Sequence, residues 1–94
     1  MAKKTGQSMN FNQRLKMFTG QYMFIKWVGG SEYVKLINVG DDFYEFDVID
    51  IDSMEYQETL MIQHNLLLEV TLGGADVQRI LAEMSCNLPA VNRD

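Results

Sequence analysis

Residues 59–72, Thr-Leu-Met-Ile-Gln-His-Asn-Leu-Leu-Leu-Glu-Val-Thr-Leu, restrict the fold more tightly than any other stretch of this chain. Leu60 and Ile62 alternate with Thr59, Met61 and Gln63, and Leu66, Leu68, Val70 and Leu72 alternate with Leu67, Glu69 and Thr71. A period of two predicts two strands, each with one buried face. Gln63, His64 and Asn65 between them cannot all enter a core without partners, so the sequence predicts a bend where they meet solvent, a ligand or a neighbouring subunit.

The remainder of the chain reads as further short elements around this pair. Residues 1–8 are small and polar and are expected to form a mobile arm. Asn10 is placed to cap a short helix with Phe11, Leu15 and Phe18 at helical spacing, ended by Gly20. Strands are predicted over Gln21 to Val28, Tyr33 to Val39, Phe43 to Asp52 and Met54 to Gln63, with turns at Gly29-Gly30, Gly40-Asp41-Asp42 and Asp50 to Ser53. Hairpin connections are expected throughout. Gly73-Gly74 stops the last strand, and Asp76 is positioned to cap a helix over Asp76 to Ser85 with Val77, Ile80, Leu81 and Met84 on one stripe. Pro89 is expected to close the helical region and Ala90 to Asp94 to fray.

Ninety-four residues with 47% apolar content suit one domain with a thin core, for which self-association would help. Cys86 is the only cysteine, which excludes an intrachain disulfide and fits a reducing, cytoplasmic setting. No signal-type segment and no apolar run of the ~18 residues a membrane span requires is found, so a soluble protein without membrane contact is expected. The net charge of −5 argues against a surface that coats nucleic acid everywhere. Its distribution is uneven: Lys3, Lys4, Arg14, Lys16 and Lys26 precede the first acidic residue, Glu32, whereas residues 41–58 hold Asp41, Asp42, Glu45, Asp47, Asp50, Asp52, Glu55 and Glu58 and no base. A calcium loop starting at Asp50 fails, because Glu55 stands where the glycine belongs and Met61 where the bidentate glutamate belongs. A single histidine, no nucleophile elbow and no phosphate loop leave no catalytic constellation, so neither an enzyme, nor a metal site, nor a cofactor is expected.

A short helix followed by five strongly bent antiparallel strands in a small open barrel resembles the Sm-like fold of RNA-associated ring proteins, including the host-factor (Hfq) branch. Gly30, Tyr33, Ile37, Asp41, Phe43 and Phe46 fall at the spacing of that family's first motif, and Ile62-Gln63-His64-Asn65 falls on its second, over roughly residues 9–72. Residues 73–94 then form an added C-terminal helix and tail. The resemblance implies a cyclic homo-oligomer in which the fourth strand of one subunit pairs with the fifth of the next, through Leu60, Ile62, Leu66, Leu68 and Val70. It also implies single-stranded RNA as a partner, at Phe43, Glu45, Gln63, His64 and Asn65; the clustering of cations before Glu32 adds Arg14 and Lys16 to that expected surface.

Three positions depart from the family pattern. Lys35 replaces a mid-strand glycine, so any bend there would be gentler or reached through a bulge. Glu45 replaces the base-reading asparagine and Gln63 the stacking arginine, so RNA binding is expected to be weak and salt-dependent. Each residue also has a local reading: Phe43 as a rim or core aromatic, Glu45 as a solvated or intersubunit carboxylate, and His64 as a turn residue bonded to backbone. The alternative function is an acidic structural or protein-interaction ring that does not bind RNA.

Overall fold

The structure is a computed structural model that describes residues 9–87. The expected N-terminal arm and the tail beyond Asn87 lie outside the described residues. Helix α1, Phe11–Lys16, opens with a reciprocal cap: the Asn10 side chain accepts from the Gln13 backbone N–H and the Gln13 side chain accepts from the Asn10 backbone N–H, both at 2.8 Å. This satisfies orphan donors that six residues could not otherwise offset. Gly20, with φ of 91°, then turns the chain into the sheet.

Five strands follow: β1 (Tyr22–Trp27), β2 (Gly30–Val39), β3 (Phe43–Asp50), β4 (Glu55–Gln63) and β5 (Leu67–Thr71). They form one antiparallel sheet in the order β4-β3-β2-β1-β5, so the protein is mainly β with a helix at each end of the described chain. The first three connections are hairpins. The fourth is not, contrary to the expectation from spacing, because β5 crosses from the β4 edge to pair with β1 at the other edge. Alternation reports which face a residue takes, but not which strand lies beside it.

The two faces of the sheet bury different side chains. Met23, Ile25, Val34, Leu36, Tyr44, Phe46, Val48 and Ile62 share one face with Leu15 of α1. On the other face, Ile49 packs with Ile80 and Met84 of helix α2 (Ala75–Asn87), flanked by Tyr22, Tyr33 and Tyr56. Three register shifts interrupt the ladder: at Ile37 in β2, at Gln57 in β4 and at Leu68 in β5. The shift at Ile37 lies two residues beyond Lys35, where either a gentler bend or a bulge was expected. Strand β3 ends at Asp50 rather than Asp52, since the Asp50 carboxylate accepts the Asp52 backbone N–H at 2.9 Å and holds a turn. Met54 belongs to that turn and not to β4: its φ is 59° and its side chain is buried in the α2 layer.

Helix α2 carries the predicted stripe, with Val77, Ile80 and Met84 buried and Leu81 half-buried. Asp76 does not cap it. Its carboxylate lies in the first turn and accepts the Tyr33 hydroxyl at 2.9 Å, while Arg79 reaches the Ile51 carbonyl at 3.3 Å. These two contacts tie the N-terminal half of α2 to β2 and to the β3–β4 turn.

Two outcomes are expected for this layer. Ile80→Ala should lower unfolding free energy by about 2–5 kcal/mol in a urea titration, as for other fully buried aliphatic truncations. The hydrogen bond to Asp76, with burial second, holds the Tyr33 phenol above its ordinary value of 10.0, and burial does the same for Tyr44. Folding thus favours the neutral phenols. The stabilisation is present below the unfolded value and is lost as pH rises above it, since the unfolded chain ionises first. Urea midpoints should fall with pH in the tyrosine range, and Tyr33→Phe should flatten that slope without abolishing it, because Tyr44 keeps its share.

Candidate functional site at the turn between β4 and β5

The polar centre of the opening stretch forms a single 3-10 turn, His64–Leu66, whose cap residue Gln63 pairs with Phe43 at the end of β3. His64 is held from four sides. Its backbone N–H donates to the Asp42 carbonyl at 3.0 Å, and its ring Nε2 lies 3.2 Å from the Phe43 carbonyl. A carbonyl only accepts, so Nε2 carries the proton and Nδ1 is left as an acceptor for the Asn12 side-chain amide, 3.1 Å away. The Asn12 amide oxygen in turn accepts the Tyr44 hydroxyl, and the Tyr44 ring stacks on the imidazole with centroids 4.2 Å apart. Both ring nitrogens of His64 are therefore occupied within the chain. The local reading of His64, a turn residue bonded to backbone, describes this arrangement, and donation to a phosphate would require breaking it.

Phe43 is half-buried and packed over Gly40, where an added Cβ would come within 2.1 Å of its ring. Gly40 is thus required by close approach, and its N–H donates to the Phe43 carbonyl at 2.8 Å. Glu45, half-buried, lies two residues along β3 from Phe43 and opposite Asn38 and Met61. Alternation puts Phe43, Glu45 and Gln63 on the sheet face opposite Tyr44, whereas Asn12 meets His64 on the α1 side. Gln63 and Asn65 are exposed.

The two cations of α1 are separated. Lys16 lines a polar cleft of about 180 Å³ with Asn12, Gln13, Val39, Gly40 and Asp41, beside Phe43. Arg14 lies 5.1 Å over the Phe18 ring and lines an apolar groove of about 120 Å³ with Phe11, Leu15, Phe18, Val70 and Leu72. Two helical residues two apart point about 200° from each other, so these charges serve different surfaces. Among the predicted interface residues, Ile62 is 1% exposed and belongs to the chain's own core, Leu60, Leu66 and Val70 are half-buried against it, and Leu68 is 67% exposed. Met61, 66% exposed on β4, is an apolar edge residue that sequence alternation placed on the polar face.

Two carboxylates of the acidic run are used locally. Asp47 accepts the Thr59 hydroxyl at 3.0 Å and Asp50 holds the β3–β4 turn. Among the described residues, no group of three or more His, Cys, Asp or Glu side chains is arranged to hold a metal ion, and no helix is long and apolar enough to cross a membrane. Asn12 and Tyr44 are the residues that sequence reasoning missed. They contact their partners across 52 and 32 positions of sequence, which leaves no local signal. No family model, curated protein or solved structure matches this chain.

Removing Asn12 should strand two polar groups together, Nδ1 of His64 and the Tyr44 hydroxyl. Asn12→Ala is expected to lower stability by about 1–3 kcal/mol. In a double-mutant cycle with His64→Ala, the combined loss should be smaller than the sum of the single losses, since the same network is removed twice. Additive losses in chemical denaturation would show that the contacts act independently.

Proposed function

We propose that the chain is a subunit of an Sm-like, edge-paired cyclic homo-oligomer that binds single-stranded RNA weakly at the rim formed by the His64 turn and Lys16. The observation that carries the assembly is the pair of sheet edges. Strands β4 and β5 end the strand order, contain neither proline nor lysine, and expose Met61 and Leu68. Unpaired N–H and C=O groups beside apolar side chains form a template for another strand unless something covers them. In the resembled family the fourth and fifth strands meet between subunits, and these are the two edges here.

The RNA part of the reading is supported by placement. Lys16 beside the cleft, half-buried Phe43 and the exposed amides of Gln63 and Asn65 come from three segments that converge at one end of the sheet. Amides can hydrogen-bond to base edges that are free only in single strands. His64 contributes by shaping the turn. Glu45 opposes phosphate, which keeps affinity low and steeply salt-dependent. A second reading, an acidic ring that binds protein and no RNA, is favoured by the internal commitment of both His64 nitrogens.

Leu68→Pro removes a backbone donor from β5 and should dissociate the particle in sedimentation velocity while leaving far-UV circular dichroism close to wild type. A wild-type monomer at micromolar concentration would overturn the assembly. Oligouridylate and oligoadenylate titrations at two salt concentrations test the RNA part. Lys16→Ala and Phe43→Ala should each weaken binding, and absence of binding at low salt would leave the protein-partner reading.

A further inference from the structure

The groove between α1 and β5 is apolar with a single cation, Arg14, which lies over the Phe18 ring. Its walls are Phe11, Leu15, Phe18, Val70 and Leu72, and its one charged member is Arg14, with no carboxylate in the lining. Phe11 and Leu72 are 51% and 42% exposed, and Arg14 forms no ion pair among the described residues. The groove opens beside the outer edge of β5. The opposite edge of the sheet, β4, has the complementary character: Glu55 and Glu58 without a base, and Leu60 only partly covered by the core.

Face alternation restricts what this groove can receive. Val70 pairs with Ile25, and Leu60 and Glu58 pair with Phe46 and Val48; Ile25, Phe46 and Val48 all lie on the α1 side of the sheet. Antiparallel pairing keeps directly opposed side chains on the same face. A β4 strand added to β5 therefore turns Leu60 and Glu58, and not Met61, toward the groove. Placing Leu60 opposite Val70 puts Glu58 opposite Leu72, which lines the same small groove as Arg14.

Resting on the edge pairing proposed above, we infer that the α1–β5 groove is the socket for β4 of a second copy, with the incoming Leu60 seated against Val70 and Phe18 and the incoming Glu58 paired with Arg14. The groove is incomplete in one chain and is filled by its neighbour. Arg14 then belongs to the subunit interface, and Lys16 on the far side of α1 remains at the RNA-facing cleft. Interface strength acquires a salt dependence of its own.

A charge reversal tests this in the full chain. Arg14→Glu and Glu58→Arg should each weaken assembly on the order of tenfold in sedimentation velocity, because each puts like charges together. The double variant Arg14→Glu/Glu58→Arg should recover most of the loss, which a purely local defect in α1 or β4 would not do. Single variants that assemble as wild type, or a double variant no better than either single, would overturn the socket. Leu68→Pro run in parallel separates the two ideas. If it dissociates the particle while the charge variants do not, edge pairing stands and the socket falls; if it too leaves the particle intact, both fall.

Discussion

Val48 and Ile49 are neighbours in β3, and both are buried. Successive residues of a strand point to opposite faces, so this one pair requires the sheet to be covered on both sides. The rest of the architecture follows from that requirement. Helix α1 covers the Val48 side through Leu15, and α2 covers the Ile49 side through Ile80 and Met84. Among the described residues the covering is incomplete at the outermost strands, where Met61 and Leu68 remain exposed.

The sequence made the elements legible because each carries its own punctuation. The Asn10 cap, the Gly40 to Asp42 turn and the stripe of Val77, Ile80 and Met84 all occur where residue spacing places them, whereas α1 ends at Lys16, four residues before the Gly20 expected to stop it. What the sequence concealed is pairing across long separations. The crossing of β5 to β1 depends on which edge has room, and the burial of Met54 with φ of 59° depends on the packing of α2. Bulges at Gln57 and Leu68 shift which residues oppose one another, and period-two counting has no means of detecting an extra residue. The expectation that β3 would run to Asp52 failed for a local reason: the Asp50 carboxylate competes for the backbone N–H groups that a continued strand would use.

The candidate site was legible as a place but not as a set of roles. His64 and Asn65 do form the bend, with Gln63 closing β4 before it, because polar side chains at the end of an apolar strand have no buried partners nearby in sequence. Their division of labour depends on Asn12 and Tyr44, which approach from α1 and β3. His64 is the residue most changed by this context. Read alone, an imidazole at a hinge suits ligand chemistry. Between a carbonyl that needs a donor and an amide that needs an acceptor, it is instead a bracket that fixes the turn.

That bracket gives α1 a role larger than its length suggests. Six helical residues are too few to be stable alone, so α1 exists because Leu15 enters the core and Asn10 and Gln13 close its first turn. The same helix holds the β4–β5 turn through Asn12, while Lys16 and Arg14 face the two sides of the chain end that the turn joins. The turn determines how β5 leaves β4 to reach the opposite edge. A change that loosens α1 should therefore be felt at His64 and at the edge strands together, even though no residue of α1 is hydrogen-bonded to either strand's outer side. The physical link is the Tyr44–Asn12–His64 chain, in which every member is both oriented by one neighbour and needed by the next.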